Sequence, residues 1–409
     1  MGQYDVIVVG SGAAGMMASI TAARLGKKVL LLEKLSKLGA KLKATGGGRC
    51  NLTNTLDNDS FMARFGRNGK FMRDALEQFD HKALMEFFED LGVNSHAPDG
   101  YRVFPTSHNS ETILSALEKE LERLHVRVHT AEKVETLLEH DGYITGVTTE
   151  NVTYEAAYVI IATGGLGYPL LGASGDGYKM AQSVGHQIGE LYPAMMPLRT
   201  KETWVAQCRA DTIPKVELRV DLPKYKKLKA VGDLIFTKNG IRGPVVLDFA
   251  REVTPLLEKY GEVPLLVNLT QGKNEEDIRL HIKNNPELTV IESLEKLLPK
   301  SVVIELCLLS NVSLDVTFKN IAAANRDRLI KLLAWTPLCV CGHDGFEKAM
   351  ITRGGISLKE ISPMSMESKY VRGLYFCGEV MDLDGPCGGY NLQWSFASGF
   401  LAGQLKSRI

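Results

Sequence analysis

Residues 4–33 read YDVIVVGSGAAGMMASITAARLGKKVLLLE, and the fold is decided there. Tyr4 to Val9 is a β-branched run, continuous from Val6, the pattern of a strand covered on both faces. Gly10-Ser11-Gly12-Ala13-Ala14-Gly15 is a turn, Met16 to Leu25 is rich in good helix formers, and Gly26 stops that helix. Lys28 to Glu33 then supplies a second strand, which completes a βαβ unit. Gly10 permits the tight turn, Gly12 lets the backbone approach a pyrophosphate, and Gly15 lets helix and strand pack closely. The phosphates of a dinucleotide would meet free N–H groups at the helix N-terminus. Glu33 suits the hydroxyls of the adenosine ribose and repels a 2′-phosphate, so NADP is not expected at this site.

Three further glycine motifs favour FAD over NAD. Thr45-Gly46-Gly47-Gly48-Arg49-Cys50-Asn51 follows Lys41 and Lys43, and its glycines allow backbone to lie against a flat or anionic group. Arg49 adds a fork of donors for phosphate or a ring carbonyl. Ile160 to Gly165 reads as a buried strand with a glycine exit at Thr163-Gly164. Gly373 to Glu379 is another short strand, and Gly388-Gly389 precede a helix. The N-terminus of that helix would stabilise negative charge on a reduced flavin.

Between these motifs the pattern shifts. Phe71 to Leu91 and Thr112 to Leu124 carry helical periodicity, and Val126 to Thr130 and Tyr143 to Thr149 read as strands. From Pro193 to Leu269 short apolar runs are broken by Pro and Gly, as in a small sheet or barrel. Val290 to Leu298 and Phe318 to Leu333 turn helical again, and Ser395 to Leu405 forms a closing helix. The expected architecture is α/β. A Rossmann-type domain of glutathione-reductase type spans 1–192 and 356–409, a β-barrel spans 193–271 and 336–355, and a helical subdomain occupies 272–335.

The chain resembles the BaiN/YhiN-type flavoproteins, whose members include proteins described as aminoacetone oxidases and enone reductases. The resemblance rests on KLKATGGGRCNLTN at 41–54, on Met366-Glu367-Ser368-Lys369, and above all on GLYFCGEVMDLDGPCGGYNLQW at 373–394. It implies FAD contacts from Gly10, Gly12, Ala14, Gly15, Glu33 and Lys34 at the first turn. It implies others from Lys41, Gly47, Gly48, Arg49 and Asn51, with Cys50, Thr163 and Gly164 beside them. Near the other end it implicates Gly378, Glu379, Asp384, Gly389, Asn391 and Leu392, and Val134 matches a backbone contact to adenine. The chain departs from the family at Thr237-Lys238-Asn239-Gly240-Ile241-Arg242-Gly243-Pro244, where relatives carry Ser in place of Arg242.

The catalytic groups are less legible. Tyr101, Arg102 and Tyr390 are candidates, because a flavin pocket wants aromatic walls and one oriented donor. Cys50 reads as a small buried thiol. His108 and His186 read as structural. Asn391-Leu392-Gln393-Trp394 opens the last helix, whose backbone matters more than its side chains, so substitution of Gln393 is expected to do little.

Composition bounds the rest. The chain has 409 residues, with 48 basic and 48 acidic side chains, 44% hydrophobic and 23% charged. That neutrality argues against a protein built mainly to hold nucleic acid. The run Lys224-Tyr225-Lys226-Lys227-Leu228-Lys229 reads as a solvated loop, and no nucleic-acid partner is expected. The seven cysteines follow no disulfide or zinc spacing, so no metal is expected. The apolar run Val6–Val9 is short, follows Asp5 and has no basic lead-in, so neither a signal peptide nor a membrane span is expected. A cytoplasmic location follows. The expected function is a FAD-dependent oxidoreductase moving a hydride between a small organic substrate and flavin N5. NAD(P)H as a transient donor and O₂ as an acceptor both stay open, as does the oligomeric state. An RNA-modifying flavoprotein and a non-catalytic flavin sensor are the readings from other classes.

Overall fold

A computed structural model describes residues 4–407. The chain divides into two compact units, Met1–Tyr192 with Ile351–Ile409, and Pro193–Met350.

The first unit is built on a five-stranded parallel sheet drawn from both ends of the chain. Its strands lie in the order Leu374–Phe376, Tyr158–Ile161, Val6–Val9, Val29–Leu32, Arg127–His129. Val6 pairs with both Val29 and Tyr158, and Val159 pairs with Leu374. All eight residues of Val6–Val9 and Val29–Leu32 are buried, which is why those runs carry no alternation.

The entry helix Ala13–Arg24 packs on the sheet and the closing helix Tyr390–Gly403 packs on the entry helix. These two helices approach closely through small residues. A Cβ on Gly399 would stand 2.3 Å from Ala14 O, and one on Gly403 2.5 Å from Ala18 O. The unit also carries two three-stranded antiparallel sheets, one of Val134–His140, Tyr143–Thr149 and Thr153–Glu155, the other of Thr53–Asn54, Arg102–Pro105 and Ser95–His96.

The second unit holds the expected barrel, closed and six-stranded. Its order is Leu198–Thr200, Gly240–Arg242, Lys229–Thr237, Thr212–Val220, Val263–Asn268, Thr336–His343. It has a hydrophobic core of its own, including Leu218, Phe236, Val267 and Leu338. Helices Glu275–Lys283, Val290–Leu294, Lys300–Leu309 and Ala323–Ala334 follow, the first two opened by capping boxes at Asn274/Asp277 and Thr289/Glu292.

Several elements differ from expectation. Phe71 to Leu91 is not one helix: a 3₁₀ segment Gly66–Met72 leads into Arg73–Gln78, and His81–Asp90 starts afresh. The break is at Asp80, whose carboxylate accepts from Lys82 N and Ala83 N as an N-cap. The 17-residue helix Pro244–Tyr260 lies inside a stretch read as strands. The closing helix begins at Tyr390, directly after Gly388-Gly389 as the glycine pair implies, and so ahead of the periodic stretch that starts at Ser395. No helix among the described residues is long and apolar enough to cross a membrane.

Candidate cofactor site

The first turn separates two kinds of glycine. Gly10 has φ +99°, and a Cβ there would meet Ala162 O at 2.7 Å; one on Gly15 would meet Gly10 O at 1.8 Å. Those two are required by packing. Gly12 is the N-cap of the entry helix, makes no side-chain cap, and has nothing within 4 Å of an added Cβ. The N–H groups of the helix's first turn, at Ala13 and Ala14, have no carbonyl partner one turn back within the helix, the situation that suits an anion at a helix N-terminus.

Glu33 braces this turn. It is buried, and its carboxylate accepts from Ser11 N at 2.9 Å, Ser11 Oγ at 2.5 Å and Leu35 N at 2.8 Å. Three of roughly four acceptor positions are thus used within the protein, which leaves about one for a ligand hydroxyl. The role of Ser11 was not read from sequence, although a serine between the first two glycines is the signal.

The lysines singled out from sequence are held by carboxylates. Lys41 Nζ lies 2.7 Å from Glu379 Oε2, and Glu379 Oε1 accepts from Thr352 N at 2.8 Å. Lys34 Nζ lies 2.7 Å from Asp176 and also contacts Ser174. Arg49 is exposed, its guanidinium 5.7 Å from the Phe104 ring centroid.

The glycine-rich loop is joined to the C-terminal motif by amides. Gly46, Gly47 and Gly48 all have left-handed backbone, and Gly47 and Gly48 leave a Cβ nothing within 4 Å. Cys50 is fully buried, and burial pushes its thiol up to about 11, so it is a protonated packing residue at neutral pH. With its amide oriented to match its neighbours, Asn51 donates to Val103 O (3.2 Å) and Thr53 O (3.0 Å) and accepts from Gly389 N (3.1 Å). Asn54 Nδ2 donates to Gly388 O at 2.8 Å. Asn391 closes the loop, accepting from Gly385 N at 2.7 Å and donating to Gly385 O at 2.8 Å. Gly389, at φ +84°, opens the closing helix, and a Cβ there would strike Thr53 C and O at 2.5 Å.

The remaining positions fall around this frame. Gly378 N donates to Ser398 Oγ at 2.9 Å, and its Cα faces Ala14. Thr163 Oγ1 is buried with no hydrogen-bond partner among the described residues, and the adjacent Gly164 is left-handed and open. Val134 is buried at the start of its strand, Asp384 is buried, and Leu392 is half-buried.

Of the catalytic candidates, Tyr101 and Tyr390 come together, hydroxyl to hydroxyl, with Tyr390 packed 4.9 Å from Phe61. Arg102 does not join them. It is half exposed and paired with Asp99 at 2.7 Å, and that guanidinium holds the Asp99 carboxyl down to about 2.

The reading of Gln393 is corrected: its side chain is buried and donates to Phe79 O at 2.9 Å, anchoring the closing helix. Arg242 is exposed. Among the described residues no group of three His, Cys, Asp or Glu is arranged to hold a metal.

Residues 4–405 match the family described as the HI0933-like protein Rossmann domain. The chain belongs to that family. It is 32% identical over 407 residues to a 3-dehydro-bile acid delta(4,6)-reductase of Clostridium scindens, covering 98% of each chain. It is 30% identical over 410 residues to a ribosomal RNA dihydrouridine synthase of Escherichia coli, covering 99% of this chain and 98% of the other. A 3-ketosteroid-delta4-(5alpha)-dehydrogenase of Rhodococcus jostii shares the fold, with TM-score 0.52, 17% identity and coverage of 98% and 95%.

The resemblance to BaiN/YhiN-type flavoproteins is thus borne out, and the protein is a FAD-dependent oxidoreductase. The open cradle at Gly12, the room above Gly47, Gly48 and Gly164, and the orphaned Thr163 hydroxyl fit such a cofactor.

Proposed function

We propose that this protein is a reductase that saturates a carbon–carbon double bond conjugated with a carbonyl, using NAD(P)H as electron donor. One observation carries the reading. Relatives matched over essentially the whole chain are named for saturating a C=C bond, one in a 3-dehydro-bile acid and one in uridine of ribosomal RNA. The two substrates differ, but the chemistry is shared.

Bound FAD would supply the hydride, accepted in turn from the pyridine nucleotide. The chain's own residues have three tasks. Gly12, Ala13 and Ala14 hold phosphate by backbone N–H, and Glu33 takes a ribose hydroxyl. Asn51, Asn54 and Asn391 fix the loops that carry Gly47, Gly48, Gly385 and Gly389. The Tyr101–Tyr390 pair donates a hydrogen bond or proton to the substrate, because hydride addition to an enone leaves charge on oxygen and the α-carbon.

The test is anaerobic reduction of the flavin by NADH or NADPH, followed by addition of a cyclic enone. Bleaching by a nucleotide and recovery of colour with the enone support the reading. No bleaching by either nucleotide, with rapid peroxide formation in air by dithionite-reduced protein, overturns it in favour of an amine oxidase. Tyr390→Phe is expected to slow recovery by about 10²-fold or more, the usual weight of a general acid, with little change in bleaching.

A further inference from the structure

The last turns of three helices meet around one cavity of the first unit, about 500 Å³ in volume, a size that suits a small organic molecule. Thr21 and Arg24 come from the entry helix, Phe87 and Asp90 from His81–Asp90, and Phe400 and Gln404 from the end of the closing helix. The entry helix starts just after Gly12, and its 12 residues carry it about 18 Å to this far end. The cavity is therefore separate from the candidate cofactor site.

Its body is apolar and aromatic. Met17, Phe79 and Phe87 are buried, Phe79 stacks on Phe400 with ring centroids 4.6 Å apart, and it meets Phe87 edge-on at 6.0 Å. The Thr21 hydroxyl is spent on Met17 O at 2.8 Å.

The rim decides the charge of an occupant. Its cations are engaged: Arg24 lies 2.7 Å from Glu120, which also holds Arg123, and Lys406 Nζ donates to Gln78 Oε1 at 3.1 Å. Glu86 and Asp90, one turn apart, make no ion pair among the described residues. Counted as whole charges, Glu86, Asp90 and Glu120 balance Arg24, Arg123 and Lys406. The helix ends break that balance. Each C-terminus carries about half a negative charge, and a carboxylate in a last turn sits at the wrong end of the dipole. The entry helix has Arg24 in its last turn, but neither His81–Asp90 nor the closing helix has a basic residue there.

We propose that this cavity binds an organic cation with an aromatic body, its rings against Phe79, Phe87 and Phe400 and its charge at Glu86 and Asp90. A neutral molecule would leave the two carboxylates and the two uncompensated helix ends as they are, and an anion would be repelled by them. A cation relieves both and gains from the faces of the phenylalanines.

The experiment is equilibrium dialysis of the FAD-loaded protein against two tricyclic probes of one shape and opposite charge, an aminoacridinium and an anthracene carboxylate. The cation is expected to bind at least about tenfold more tightly, one per chain, and to weaken as salt rises. Glu86→Gln/Asp90→Asn is expected to cut that preference by about three- to tenfold. Ala83 lines the cavity on the same helix, and Ala83→Trp is expected to fill it and abolish cation binding. The flavin spectrum reports that each variant is folded. Equal affinity for the two probes overturns the proposal, as does a preference unchanged in Glu86→Gln/Asp90→Asn or cation binding that survives Ala83→Trp. No binding of the cation at ~1 mM overturns it too. A dimer in sedimentation that Ala83→Trp dissociates would then give the cavity to a second copy of the chain.

Discussion

At Gly15 an added Cβ would stand 1.8 Å from the Gly10 carbonyl oxygen, whereas at Gly12 it would meet nothing within 4 Å. The two positions therefore separate folding from cofactor binding. Gly12→Ala has an ordinary φ of −70° and is expected to cost the apoprotein about 1 kcal/mol or less. It would fill the phosphate cradle and raise the FAD dissociation constant tenfold or more, about 1.4 kcal/mol. Urea midpoints of apoprotein and FAD titration check the two halves; unchanged FAD affinity would remove Gly12 from the cradle.

His186 gives a residue-scale pH dependence. It is buried, with Nε2 2.8 Å from Ser368 Oγ, Nδ1 3.3 Å from Glu360, and the rings of Tyr370 and Phe376 each 4.9 Å away. Burial holds it below its usual 6.5, and the Glu360 carboxylate only partly offsets this. The unfolded chain thus binds the proton more readily than the folded one. The stabilisation is full above about 6.5 and is lost as pH falls through the depressed folded value. Urea midpoints between about pH 7.5 and 5 should fall less steeply in His186→Gln than in the parent. Equal slopes would show that another group governs this window.

At the scale of elements, the pairing of the entry and closing helices inverts a common rule. Replacing a helical glycine by alanine ordinarily stabilises by up to about 1 kcal/mol. Gly399→Ala is expected to destabilise by about 1–3 kcal/mol, because its Cβ would collide with Ala14 O. A rise in urea midpoint would mean that the helices have room to separate.

Which elements are legible from sequence follows from the same physics. The sheet strands Val6–Val9 and Val29–Leu32 are legible because a doubly covered strand must be apolar throughout. The helix Pro244–Tyr260 is not, because Gly243, Pro244 and Pro255 look like punctuation. Pro244 is instead a first-turn proline, a helix start, and Val246, Phe249, Ala250, Val253 and Leu257 recur at helical spacing. In the site, glycine motifs announce themselves by local spacing. The partners that fix them do not: Ser398 for Gly378 and Asn54 for Gly388 depend on which distant segments meet. The pairing of Lys41 with Glu379 is likewise tertiary.

At the scale of the molecule, two hydrophobic cores belong to two units, and every residue expected from sequence to contact FAD lies in the first. The segment 193–350, made alone, is expected to fold with its own cooperative transition. Added FAD should raise a transition of the full chain by mass action and leave that of the excised segment unchanged. A segment that shows no transition, or one that FAD shifts, would contradict the division.

The parallel sheet also imposes a timetable. Val6–Val9 leaves the ribosome well before the sheet's edge strand Leu374–Phe376 and the closing helix that packs on the entry helix. At ~5–20 residues per second, the early strands wait roughly 20–70 s for these partners. Throughout that interval the surfaces of Ala14 and Ala18 that await Gly399 and Gly403 are uncovered. The barrel segment, synthesised in between, can complete its core first. The nascent flavin-binding half is therefore the part most dependent on chaperone shelter, and FAD can secure it only after the last helix has been made.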